Sequence, residues 1–207
     1  MKPTARGILA GLLLLAAACG GGLKTVAKDG YRAVLAFSKD ERFEVAVRGE
    51  WKRVEARMEG APLVKIMRPD LKQVWQVRPT TKKILDSPWT PTDEIVPGYP
   101  LEPHFDPHAY ADRFGGTITR IGDAAHGLHP CDRWQMSLPS GDMVTLWVAR
   151  DLEGLVVKIE HAKKDTGDEY QPFTTIELLD VRPGADPDLF EKPKGYTQVK
   201  TYQDLLK

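Results

Sequence analysis

The sequence predicts a mainly β (α+β) domain over residues 31–207, and three observations predict it. Short runs rich in Val, Ile and aromatics recur along the chain, as in "YRAVLAFS" (31–38) and "MVTLWVAR" (143–150). Turn-forming Pro, Gly and Asp clusters separate these runs. The segments follow one another with no internal repeat and no interdomain linker, which points to one domain.

Residues 1–18 stand apart from that domain. Lys2 and Arg6 precede an apolar run over 8–18, about as long as a signal-peptide core and too short to span a bilayer core of about 30 Å as a helix. Ala16-Ala17-Ala18 then meets Cys19 and three glycines. This resembles a bacterial lipobox, with Ala16 where Leu is usual. The resemblance implies cleavage before Cys19, acylation of its thiol by palmitate-type chains, and anchorage to a membrane. One chain binds a bilayer only marginally, at about 0.8 kcal/mol per buried CH₂; a mature lipoprotein is expected to carry three. Gly20 stands where Asp would retain such a protein at the inner membrane, so the expected place is the outer membrane, facing the periplasm. Residues 19–30 read as lipidated Cys plus flexible tether.

The strands follow in order. In "RFEVAVRGEWKRVEARM" (42–58), Phe43, Val45 and Val47 alternate with Glu44, Ala46 and Arg48, and the apolar phase shifts near Gly49, which marks a bulge or turn. "APLVKIMRP" (61–69), "KQVWQVRP" (72–79) and "KKILDSP" (82–88) form a meander on tight turns. Six prolines then fall within residues 87–107, which no regular element survives. That loop nonetheless carries Trp89, Ile95, Val96, Tyr99, Leu101 and Phe105. "DPHAYADRFGG" (106–116) reads as a short helix with Asp106 as N-cap, Pro107 at its first position and Gly115 as its stop. A second meander runs through 117–122, 131–139, 143–150, 155–164 and 171–183, for nine or ten strands in all. "DPDLF" (186–190) and "TYQDLLK" (201–207) read as short helical pieces.

The segment "VKIMRPDLKQVWQVRPTTKKILD" (64–86), the strand "LEGLVVKIEHA" (152–162) and the ending "LLDVRPGADPDLFEKPKGY" (178–196) resemble the LolA/LolB-like lipoprotein-carrier superfamily. The resemblance covers roughly residues 31–200. It implies one curved antiparallel sheet, an unclosed half-barrel, with short helices and the Pro-rich loop over an apolar concave side that holds acyl chains. The helix that often opens that domain is reduced here to "LKTVAKD" (23–29). An acylated Cys19 would also suit a membrane-bound acceptor better than a diffusing shuttle.

Composition narrows the partners. The chain has 29 basic and 29 acidic residues; losing Lys2 and Arg6 leaves 27 minus 29, or −2. That argues against a nucleic-acid binder. With Cys19 acylated, Cys131 has no intramolecular partner and no disulfide framework exists; it reads as a buried, inert thiol, with a reactive thiol or an intermolecular bridge as alternatives.

The site residues follow from these readings. Trp75, Trp134 and Trp147 sit in strands, where they either pack the core or line a ligand cavity; Trp89 and Phe105 join them as ligand-binding candidates from the loop. Trp89 and Phe105 are expected to cap the sheet, while the loop tip, with Tyr99 and Leu101, is expected to project toward membrane or cargo. His126, His129 and Cys131 form H-x-x-H-x-C, read as loop residues rather than a metal site. Arg68 and Asp70 read as a turn pair rather than a headgroup site. No nucleophile, zinc or phosphate-loop motif occurs, so no catalytic residue, metal or cofactor is expected. The expected function is a membrane-anchored lipoprotein that binds a lipid or acyl chain in lipoprotein or lipid trafficking. The alternative is an envelope scaffold or stress sensor that binds a protein partner.

Overall fold

The computed structural model describes residues 24–37, 41–58, 60–96, 98–164 and 170–207. The leader, Cys19 and Pro97 of the loop tip lie outside them. Six strands precede the Pro-rich segment: β1 (Tyr31–Ala36), β2 (Arg42–Arg48), β3 (Trp51–Met58), β4 (Ala61–Arg68), β5 (Gln73–Arg78) and β6 (Lys83–Pro88). Five follow it: β7 (Thr117–His126), β8 (His129–Ser137), β9 (Met143–Ala149), β10 (Leu155–Lys164) and β11 (Tyr170–Pro183). The helices are short: α1 (Val26–Asp29), α2 (Pro107–Arg113) and α3 (Tyr202–Leu206).

The described residues form one unclosed sheet of twelve strands, in the order β12-β6-β5-β4-β3-β2-β1-β11-β10-β9-β8-β7, where β12 is Thr197–Val199. Each meander is a block of neighbours, and the blocks join where β1 pairs with β11, Tyr31 opposite Pro183 and Ala36 opposite Glu177. The sheet has more strands than the nine or ten expected, and it is not purely antiparallel. β12 runs parallel to β6, Thr197 opposite Lys83. It was not legible because three residues of "TQV" carry no alternation to detect. Near Gly49 the phase shift is a turn: β2 ends at Arg48 and β3 begins at Trp51, with Gly49 at φ 56°. His126 and His129 lie at the ends of β7 and β8, opposite each other, and not in a loop.

Alternation sorts the side chains onto two faces. Tyr31, Ala33 and Leu35 of β1, Val45 and Val47 of β2, Leu178 of β11, Ile159 of β10 and Leu146 of β9 share one face and one core. Each such fully buried aliphatic contributes about 1.5–3 kcal/mol. On the opposite face Ala46, Val64, Ile66, Trp75, Val77 and Ile84 pack under Phe190, in the 3-10 turn Pro187–Phe190. Arg68 pins that turn. It donates to both carboxylate oxygens of Asp70 (2.9 and 2.8 Å), to Glu191 (3.0 Å) and to the Phe190 carbonyl (3.3 Å), and its guanidinium stacks 4.0 Å from the Trp51 ring centre. The Arg68–Asp70 pair is therefore structural, as expected from its turn.

The junction of the two blocks has one tight point. Gly30 has φ 71°, and a Cβ there would lie 2.2 Å from the Val47 carbonyl oxygen. Its own carbonyl accepts from Gly184 N–H (2.8 Å), and the Asp29 carbonyl accepts from Ala185 N–H (2.9 Å). Gly30→Ala is expected to destabilise the domain by at least about 1–3 kcal/mol, read as a lowered thermal midpoint; an unchanged midpoint would show that the junction relaxes freely.

Candidate functional site

Residues 89–114 form a strap across the face that carries Tyr31 and Leu35. Its prolines remove backbone donors, and side chains tie it down instead. Lys65 of β4 pairs with Asp93 (3.0 Å), Lys52 of β3 pairs with Glu102, and the Tyr31 hydroxyl donates to the Leu101 carbonyl (2.7 Å). Tyr99 donates its hydroxyl to the Val156 carbonyl of β10 (2.9 Å), and His104 N–H donates to the Glu153 carbonyl (2.7 Å). The strap thus reaches from β4 to β10. α2 then runs back beside it: Asp106 caps the helix by accepting from His108 N–H (2.9 Å) and Ala109 N–H (3.1 Å), and the Tyr110 hydroxyl donates to the Gly98 carbonyl (2.9 Å).

The tip does not project. Val96, Tyr99 and Leu101 are 8, 7 and 2 % exposed, which corrects the expected membrane or cargo contact by Tyr99 and Leu101. The reason is that both backbone and hydroxyl groups there find partners on the sheet, so the apolar side chains can be buried without orphaning polar atoms. Burial pushes the Tyr31 and Tyr99 hydroxyls well above their ordinary values and Tyr110 up to about 12, so all three are neutral donors.

Two apolar clefts flank the tip. One, of about 250 Å³, is lined by Phe37, Phe43, Val54, Ala56, Leu63, Ile95 and Val96, with Glu41 and Lys65 at its border. The other, of about 80 Å³, lies among Tyr99, Tyr110, Phe114, Met136, Ile159 and His161; burial pushes the His161 imidazole down, toward its neutral form. Both lie toward the end of the sheet where β1 finishes.

The sequence-selected residues do not converge there. Trp75 packs in the core of the opposite face, 5 % exposed. Trp134 meets His108 of α2 edge-on at 6.0 Å, and Trp147 lies under the Lys158 ammonium at 4.7 Å. Trp89, half-buried, begins the strap by donating its N–H to the Lys72 carbonyl (3.1 Å), and Phe105 packs on Tyr110 at 5.2 Å. None of the five lines either cleft. Of the lining aromatics, Phe43 is legible in the sequence as a strand residue alternating with Val45 and Val47, while Phe37, beside a turn at the end of β1, carries only its alternation with Leu35 as a signal; neither is marked as a ligand contact by local sequence. His129 pairs with Asp151 (2.9 Å), His126 stands 3.8 Å from Glu177, and the fully buried Cys131 thiol donates to the His129 carbonyl (3.3 Å). Among the described residues no three His, Cys, Asp or Glu side chains converge as metal ligands would.

No known family model and no curated protein matches this chain. Among solved structures, it is similar to an uncharacterized conserved protein from Thermus thermophilus, with 11% identity over 83% of this chain and 90% of that one and a TM-score of 0.48. It is similar to a chain in the complex of Pseudomonas aeruginosa MucA/MucB, with 12% identity over 85% of this chain and 60% of that one and a TM-score of 0.51. A putative outer membrane lipoprotein-sorting protein domain from Vibrio parahaemolyticus aligns over 77% of this chain and 86% of that one, at 11% identity and a TM-score of 0.20. The likeness to the chain from the MucA/MucB structure bears on fold alone. The class defined is a mostly β protein with a single unclosed sheet.

The strap is sensitive to acid through two carboxylates. Burial works to raise Asp93 and Glu94, but hydrogen bonds from Lys65 and Thr90 to the first, and from Arg113 (2.8 Å) and Gly98 N–H (2.7 Å) to the second, outweigh it. Both are held below their ordinary values of 3.8 and 4.5. Their stabilisation is complete above those ordinary values and is lost as pH falls through the lowered ones. Hydrogen exchange at the Gly98 amide is expected to accelerate below pH ~4 before the sheet amides do; simultaneous loss of both would mean that the strap and the sheet unfold as one unit.

Proposed function

We propose that this protein is a lipoprotein of the bacterial envelope, anchored through Cys19, that binds a single hydrophobic chain in the larger cleft on its strapped face. The observation that carries this reading is the cleft itself, lined by apolar side chains with Glu41 and Lys65 at its border. Its size selects the ligand. Small-molecule pockets run from about 300 to 1,000 Å³, and about 250 Å³ falls just below that. One chain segment fits; the three acyl chains of a lipoprotein do not while the strap is in place. A stretch of roughly eight methylenes buried there contributes about 6 kcal/mol, enough for an affinity of about tens of micromolar. The sequence resemblance to LolA/LolB-like carriers and the shared architecture support the reading, as does the lack of any catalytic constellation in the sequence.

The first described residues and the cleft lie at opposite ends of β1. Lys24 rests against Gly184 beside the start of β1, and Val26 is buried there. The cleft lies toward the other end of β1, six residues and about 20 Å away. The similar chain from a two-protein complex favours a second reading, in which the occupant is an apolar segment of a protein partner.

Ala56→Trp is expected to fill the cleft and abolish uptake of a fluorescent fatty acid while the fold persists by circular dichroism; unchanged uptake would sink the cleft assignment. Stoichiometric capture of one envelope protein in crosslinked cells, with no co-purifying lipid in native mass spectra, would favour the second reading. Cys19→Ser is expected to leave an unprocessed precursor that no longer labels with palmitate, with the domain's melting temperature unchanged. Continued labelling would refute the anchor.

A further inference from the structure

Arg78 and Arg68 are equally buried, each 6 % exposed, yet their circumstances are opposite. Arg68 is met by two carboxylates, a carbonyl and an aromatic face. Arg78 has no hydrogen-bond partner at Nε or Nη1, and no carboxylate among the described residues lies within ion-pair distance of it. A buried, unpaired guanidinium is costly and cannot escape by losing its proton. The register worsens its position. Arg78 stands directly opposite Lys83, and like charges across a strand pair repel. Lys83 reaches up to donate to the Asp204 carbonyl of α3 (3.0 Å), a neutral acceptor that leaves the double positive charge uncompensated.

Arg78 adjoins the wall of the cleft, which neither it nor Lys83 lines. Val64 is opposite Val77, so the next residue of β5, Arg78, stands beside Leu63 of β4. Leu63 lines the cleft, and Lys65, two residues along, marks its border. By alternation Arg78, Lys83, Leu63 and Lys65 all belong to the strapped face. A chain lying in the cleft with its end over Leu63 carries its head group to Arg78.

We propose that Arg78 and Lys83 are the head-group subsite of the cleft, which takes a single-chain anionic amphiphile whose carboxylate or phosphate supplies the missing counter-charge. This rests on the cleft as the binding site and adds the chemical class of its ligand. The test is calorimetric titration of the purified protein with decanoate, decyl phosphate and decanol. At least one of the two anions is expected to bind about tenfold more tightly than the alcohol, and the tighter of the two identifies a carboxylate or a phosphate as the natural head group. Arg78→Met is expected to remove the anion preference and leave decanol binding unchanged. Anions that bind no better than decanol, or a preference that survives Arg78→Met, would overturn the subsite while the cleft stands. If none of the three binds, both fall. Melting temperature supplies an independent readout. An unpaired cation predicts that ligand-free Arg78→Met melts no lower than the wild type, and that decanoate or decyl phosphate raises the wild-type midpoint only. A lowered midpoint of the ligand-free variant, with anion preference intact, would assign Arg78 to the scaffold instead. Should Arg78→Met fail to fold, Lys83→Met, at the half-exposed partner, is expected to weaken the anion preference; an unaltered preference there would overturn the proposal.

Discussion

The pairing of β1 with β11 is the constraint on which the other features depend. It joins Tyr31 to Pro183, across most of the domain's sequence, and so closes a very long loop. Loop closure grows costly only slowly with length, but the pairing must still recover that cost locally. It does so through the Gly30 and Asp29 carbonyls, which accept from Gly184 and Ala185, and through Tyr31, which is fully buried. Without this seam the two meanders would each be a sheet with two open edges and half a core. With it, the apolar faces of β2, β1, β11 and β10 become continuous, and there is a surface for the strap to cross.

The strap shows how a segment without regular structure can be as firmly placed as a strand. Its prolines forgo ladder hydrogen bonds, and hydroxyls, carboxylates and lysines from the sheet replace them. Tyr31 is central because one side chain serves two purposes: its ring fills the seam and its hydroxyl satisfies the Leu101 carbonyl. Glu94 does the same for the tip, accepting from Gly98 N–H and Arg113 together. The consequence is a cover that is polar in its fastenings and apolar beneath, so that its release is governed by charge and not by the loss of packing alone.

The functional reading rests on shape and on polar groups counted one by one. A cleft of about 250 Å³ limits the ligand to one chain. Two buried arginines of identical exposure, one saturated and one orphaned, separate a structural cation from one that awaits an anion. Size and charge are independent observations, and a site for a small single-chain anionic amphiphile satisfies both.

Local signals in the sequence determined much of this architecture. Nine or ten of the twelve strands among the described residues are visible as alternating or apolar runs, because a half-buried strand must show its period. The α2 cap at Asp106 and Pro107 was equally legible, since capping chemistry is local. The tertiary structure alone decided which strands are neighbours, because residues 31 and 183 carry no mark that they pair. It also decided where the aromatics go. Trp75, Trp134 and Trp147 look alike in sequence, yet one packs under Phe190, one beside α2 and one beneath Lys158. Leu101 and Tyr99 read as an exposed tip because nothing nearby in sequence could cover them; the Tyr31 hydroxyl and the Val156 carbonyl, both more than fifty residues away, do so. The same holds for Arg78: its lack of a counter-ion is a statement about every carboxylate among the described residues, and only the folded chain can make it.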